Sequence, residues 1–186
     1  VVVDITQLVL GYVNSKNVES QRNSIMFFIT NIMGIMVAIG VFVISSPFAY
    51  QSSSFETSAS MIPLLIFAAG LRLGVLPLQA WFLQSTSAWE ENFLPMKLIP
   101  LVSSLILLVR IAKFGNSSSI SIVILLLTLI AGIYGASAWI QTKKESHSSY
   151  YLTLALSTIV MISSLYGDAT AALSWTLVLL SVSGFW

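Results

Sequence analysis

Apolar residues along this chain come in long unbroken runs, separated by short polar stretches. Six runs cover residues 25–44, 59–83, 94–112, 120–140, 150–166 and 169–186, and a shorter apolar stretch covers 1–13. A run of roughly 20 apolar residues is the length a helix needs to cross the ~30 Å hydrocarbon core of a bilayer. The pattern predicts an all-α fold, a polytopic transmembrane helical bundle. The 59–83 run is interrupted by Pro63 and Pro77, so one of these helices is expected to be broken.

The intervening segments are too short to hold a soluble domain, so 1–186 reads as a single transmembrane domain. Segment 13–24 carries Lys16, Glu19 and Arg22, and 45–58 is serine-rich with Glu56 alone. Segment 84–93 carries Glu90 and Glu91; 113–119 is a Gly-Asn-Ser turn region; 141–149 carries Lys143, Lys144, Glu145 and His147; Gly167 and Asp168 make the last turn. Strict alternation puts Lys16, Arg22, Lys143 and Lys144 on one side and Arg110 and Lys113 on the other. That modest bias favours the first side as cytoplasmic, matrix or stromal. Val1 is no start methionine and Trp186 closes its run without a polar tail, so a fragment of a longer polytopic protein is expected.

Composition agrees with the pattern. Hydrophobic residues make up 56% of the chain and charged ones 8%, against about 25% charged in a soluble domain. The net charge of +1 gives no footing for a nucleic-acid partner. There is no cysteine, which excludes disulfides, thiolate metal sites and cysteine-held clusters within the chain. No cofactor is expected here. Serines 103, 104, 137, 157, 163, 164, 181 and 183 lie in or beside the runs. They read as close-packing residues that can also hydrogen-bond between helices.

Arg72 stands out, because it lies near the middle of the 59–83 run. A charge at mid-span costs roughly 2.5–3.5 kcal/mol on insertion scales, so it faces the bundle interior or water. It reads either as a member of an ion pathway or as a buried pair or cap on helix-terminal carbonyls. Pro77 would clash with the carbonyl of Leu73, and Gly70 and Gly74 bracket Arg72 and weaken the helix there. The result expected is a kinked or discontinuous helix with freed carbonyls beside a fixed cation. Gln79 can donate and accept hydrogen bonds but not titrate. Trp81 and Trp89 suit an interfacial aromatic belt. Lys97 either snorkels to the interface or lies inside near Arg72. Asp4 would be intramembrane only within a span completed before Val1. Glu90 and Glu91 are expected in solvent, His147 at the surface, and Arg110 and Lys113 at the headgroups.

The segment Gly70-Leu-Arg72-Leu-Gly74-Val-Leu-Pro77-Leu-Gln79-Ala-Trp81 resembles the broken-helix motif of the antiporter-like membrane subunits of respiratory complex I and of Mrp-type cation/proton antiporters. That motif runs lysine, four residues, proline, any residue, histidine, any residue, tryptophan. Arg72, Pro77, Gln79 and Trp81 fall on it without a gap. Phe28-Ile-Thr-Asn31-Ile-Met-Gly34 is similar to the family's preceding helix, with its aromatic–Asn–Gly signature. Leu154-Ala-Leu-Ser157-Thr158-Ile159 is similar to its Leu-Ala-Tyr-Ser-Thr-Ile, and 141–144 to the basic loop before it. The order is preserved across most of the chain.

The resemblance implies a bundle with inverted repeats in a multisubunit complex of an energy-coupling membrane: a bacterial inner membrane, an organelle inner membrane or a thylakoid. Protons or Na+ would pass along mid-membrane charges, with Arg72 on the broken helix of the first repeat and Lys97 and Asp4 as relay candidates. Redox chemistry would belong to other subunits. Two slots depart from the family pattern. Arg72 replaces the lysine, and arginine does not take up and release protons. Gln79 replaces the histidine. This implies a divergent member with altered coupling, or one that no longer pumps. A non-transporting structural subunit of the same ancestry, or an unrelated polytopic secondary transporter, are the alternatives. A membrane-embedded transferase would show clustered acidic or His-rich loop motifs, and none is present.

Overall fold

The computed structural model describes residues 18–49, 61–75, 94–113, 119–142 and 145–185, with isolated helical positions at Ile5, Thr6 and Val9. These residues form six helices and, among the described residues, no strand. They are α1 (Val18–Ala49), α2 (Ile62–Leu73), α3 (Leu94–Ala112), α4 (Ser119–Gln141), α5 (Glu145–Leu165) and α6 (Ala169–Phe185).

The apolar runs locate the helices well, and three boundaries differ. Helix α1 extends past the 25–44 run at both ends and reaches 32 residues. Its added N-terminal residues include Glu19 and Arg22, which are good helix formers although they break the hydropathy. Helix α5 begins at Glu145 rather than near 150, so the preceding connection is short. The largest departure is α2. It fills only 12 residues of the 59–83 run. Pro63 sits in its first turn, where a missing N–H leaves no bond unmade.

Only α4 is long and apolar enough to cross a membrane among the described residues, over Ile120–Gln141. The apolar parts of the other helices are shorter: Phe28–Ile44, Ile62–Leu73, Leu101–Ala112, Tyr150–Leu165 and Ala169–Ser183.

The packing order follows from which faces are small. Helices α4 and α5 pair closely where Gly132 meets Thr158 and Gly135 meets Leu154 and the backbone of Tyr151 and Ala155. Tyr134 and Tyr151 meet edge to face at that seam, with ring centroids 6.2 Å apart. Helix α1 packs on α2, α5 on α6, and α3 on α2, α5 and α6. Helix α2 touches α1, α3, α4 and α5, and α5 likewise touches four helices, α2, α3, α4 and α6. The core joins Ile62, Ile66, Ala69 and Val75 to Leu105, Leu108, Ile124, Val160, Met161 and Leu179.

The outside is apolar as well. Ile25, Ile29, Met33 and Met36 of α1, Ile122, Leu126, Ile133 and Ile140 of α4, and Leu173 and Leu177 of α6 are exposed, Ile140 to 79%. Soluble monomers rarely expose apolar surface on this scale.

Candidate functional site: a cation at the end of a short buried helix

Helix α2 is the shortest described helix and among the most enclosed. Ile62, Pro63, Ile66, Ala68, Ala69, Gly70 and Leu71 are all buried. At 1.5 Å per residue its 12 residues span about 18 Å, well short of a hydrocarbon core of about 30 Å.

Helix α2 closes at Gly74. Gly74 takes φ 72°, in the left-handed region. Its N–H donates to the Leu71 carbonyl at 3.4 Å, and the Val75 N–H donates to the Gly70 carbonyl at 3.1 Å. That pair of bonds is a Schellman cap, which glycine favours because it has no Cβ to clash. Pro77 lies outside the described residues.

The cap also moves Arg72 from mid-helix to the last turn. The C-terminal end of a helix carries a partial negative charge, so a cation is favoured there. Arg72 is partly buried. Its side chain crosses α1 at Gly34: a Cβ placed on Gly34 would come within 2.7 Å of Arg72 Cγ and 2.9 Å of the Ala68 carbonyl oxygen. Ala68 and Arg72 are four residues apart, hence on one face of α2. Asn31, three residues before Gly34, is buried at 1% exposure. Gly34 is also buried, and the spacing puts both on one face of α1.

The structure thus sets Gly34 of α1 against the Arg72 stem and the Ala68 carbonyl of α2, with Gly70 and Gly74 flanking Arg72 along α2 and Asn31 on the Gly34 face of α1. Lys97 is on the first turns of α3, and its side chain lies outside the described residues, as does that of His147. Asp4, Gln79, Trp81, Trp89, Glu90 and Glu91 also lie outside them. Arg110 and Lys113 are exposed at the C-terminal end of α3.

Sequence reasoning cast Gly34 and Asn31 only as part of a resemblance, not as parts of the site. An Asn three residues before a Gly in an apolar helix was the available signal. Several hydroxyls bond within their own helices. Thr128, Ser157, Thr158, Ser163, Ser164 and Thr176 each donate to a carbonyl three or four residues back in their own helix, at 2.6–2.9 Å. A helix interior offers that acceptor without a partner helix, so these donors are satisfied locally.

The chemistry available is that of a fixed positive charge in a confined place. A guanidinium binds and orients an anion or biases a neighbouring acid, but it does not relay a proton itself. Among the described residues no group of His, Cys, Asp or Glu could hold a metal ion. No family model, no curated protein and no solved structure matches the chain.

Proposed function

We propose that this chain is a membrane-embedded, antiporter-like subunit that moves protons or Na+ within a larger membrane complex of the complex I or Mrp type. In this reading its helices form a polytopic bundle whose apolar outer faces meet lipid. Helix α4 supplies the clearest spanning helix, and the exposed apolar residues of α1, α4 and α6 fit acyl chains.

One observation carries the reading. The shortest described helix is packed among four others, stops part-way through its apolar run, and ends in a cation. Interrupted helices inside membrane proteins are tolerated where they are buried or line a cavity, and their ends serve as ion sites. Arg72 then sets the local field that orders proton or Na+ movement through titratable groups elsewhere. Lys97 and Asp4 remain the relay candidates.

A second reading is favoured by the same residue. Because arginine does not exchange protons, the chain could be a structural subunit that retains the break without transport. Arg72→Ala and Arg72→Lys in the full-length protein, in native membrane vesicles, separate the two. Assembly is read on native gels. Proton movement is read with a pH-sensitive dye after Na+ pulses and after NADH addition. The transport reading predicts a fall of about tenfold or more in Arg72→Ala, equivalent to about 1.4 kcal/mol, and partial retention in Arg72→Lys, with assembly intact. Unchanged transport in assembled Arg72→Ala contradicts this role and supports the structural reading.

A further inference from the structure

The glycines of the two tight seams differ in what they face. On Gly135 a Cβ would meet Leu154 Cδ2 at 2.6 Å, the end of a flexible apolar side chain. On Gly132 it would meet Thr158 Oγ1 at 2.8 Å. On Gly34 it would meet Arg72 Cγ at 2.7 Å and Cδ at 3.4 Å, which is the stem of a charged side chain close to its backbone. Gly40, on the same helix, would meet nothing within 4 Å.

A Cγ is the second carbon out from the backbone. It moves only if χ1 changes or the helix shifts, and χ1 in a helix has few allowed wells. The Ala68 carbonyl at 2.9 Å is a second obstacle, and it is backbone. The bare backbone at Gly34 is therefore the surface along which the Arg72 stem leaves the short helix.

We infer that Gly34 is a positioning residue for Arg72: having no side chain, it fixes the path of the arginine stem and so the place of its guanidinium. This rests on the reading of Arg72 as the cation that sets the local field. A methyl at position 34 turns the stem away and relocates the charge, while the helices and the charge itself remain. The strength of a charge's effect on its neighbours varies with distance, so relocation alters the titration of whatever groups Arg72 biases.

The test compares Gly34→Ala, Gly135→Ala and Gly40→Ala in the full-length protein, in native membrane vesicles. Thermal stability and the pH profile of dye-detected proton movement after Na+ pulses are both recorded. Gly34→Ala and Gly135→Ala are expected to lower the melting temperature, and Gly40→Ala, which meets nothing and gains helix propensity, not to lower it. Only Gly34→Ala should shift the midpoint of the pH profile, by about half a unit or more. An equal shift in Gly135→Ala overturns the inference, because it would make the effect one of packing.

A second measurement stands without any transport. The stability loss of Gly34→Ala is determined in the native and in the Arg72→Ala background. The loss should be smaller when Arg72 is alanine, since Cγ is then gone and only the Ala68 carbonyl remains. Equal losses in both backgrounds overturn the positioning role. If the coupling is present and no variant, including the native protein, moves ions, the transport reading fails while the Gly34–Arg72 contact holds.

Discussion

Arg72 and Asp168 sit at opposite kinds of helix end, each where the backbone favours its charge. Arg72 occupies the last turn of α2. Asp168 precedes α6 and accepts hydrogen bonds at Oδ1 from the Thr170 and Ala171 N–H groups, at 3.1 and 3.0 Å, and from the Thr170 hydroxyl at 2.7 Å. The Ala171 N–H, followed by the Thr170 hydroxyl, holds its carboxyl below the usual value of 3.8. A carboxylate with a lowered folded pKa stabilises the protein above its unfolded pKa and loses that contribution as pH falls through the folded value. Asp168→Ala is therefore expected to melt at a lower temperature than the native protein at pH 5–8. The gap should narrow below about pH 4, as measured by thermal unfolding across pH. A gap that widens on acidification contradicts the cap. This residue was legible in the sequence as a turn, because a Gly-Asp pair between two apolar runs has few other uses.

Helices α2 and α5 end the same way, and the contrast lies in where they end. Gly167, at φ 79°, closes α5 with the same two bonds that Gly74 makes, from its own N–H to Ser164 and from the Asp168 N–H to Ser163. Helix α5 closes after 21 residues, where its apolar run gives way to polar residues. Helix α2 closes after 12, with apolar residues on both sides of the glycine. That is why the break was legible only in outline. Hydropathy does not change across Leu73, Gly74 and Val75, so Gly74 was legible as a weak point beside Pro77 and not as a cap. Gly74→Ala puts a Cβ into the left-handed region and should destabilise the protein by about 1–2 kcal/mol. Pro77→Ala leaves the cap's glycine and both of its hydrogen bonds in place, and should cost less. Thermal unfolding of the two variants decides between them. A larger loss in Pro77→Ala would contradict the weight given to the cap.

At the scale of the molecule, the sequence predicted the helices better than it predicted their contacts. Apolar runs mark where lipid or core is met, so α3, α4 and α6 fall within a residue of their runs. The same marks say little about helix length in polar surroundings, hence the longer α1. Arg72, Gly70 and Gly74 were visible because they interrupt a uniform background. Gly34 was visible only through the resemblance and the Asn31 spacing, since its contact joins two helices. The enclosure of α2 by four other helices likewise comes from tertiary packing.

The central claim is that the end of this short helix lies deep within a bilayer. Arg72 can be replaced by the chain's sole cysteine, because the sequence has none of its own, and a nitroxide attached there in lipid vesicles. Relaxation of lipid nuclei then reports its depth. The account predicts stronger relaxation of acyl-chain terminal methyls than of headgroup phosphorus. Stronger relaxation of the phosphorus would put position 72 at the membrane surface and contradict it.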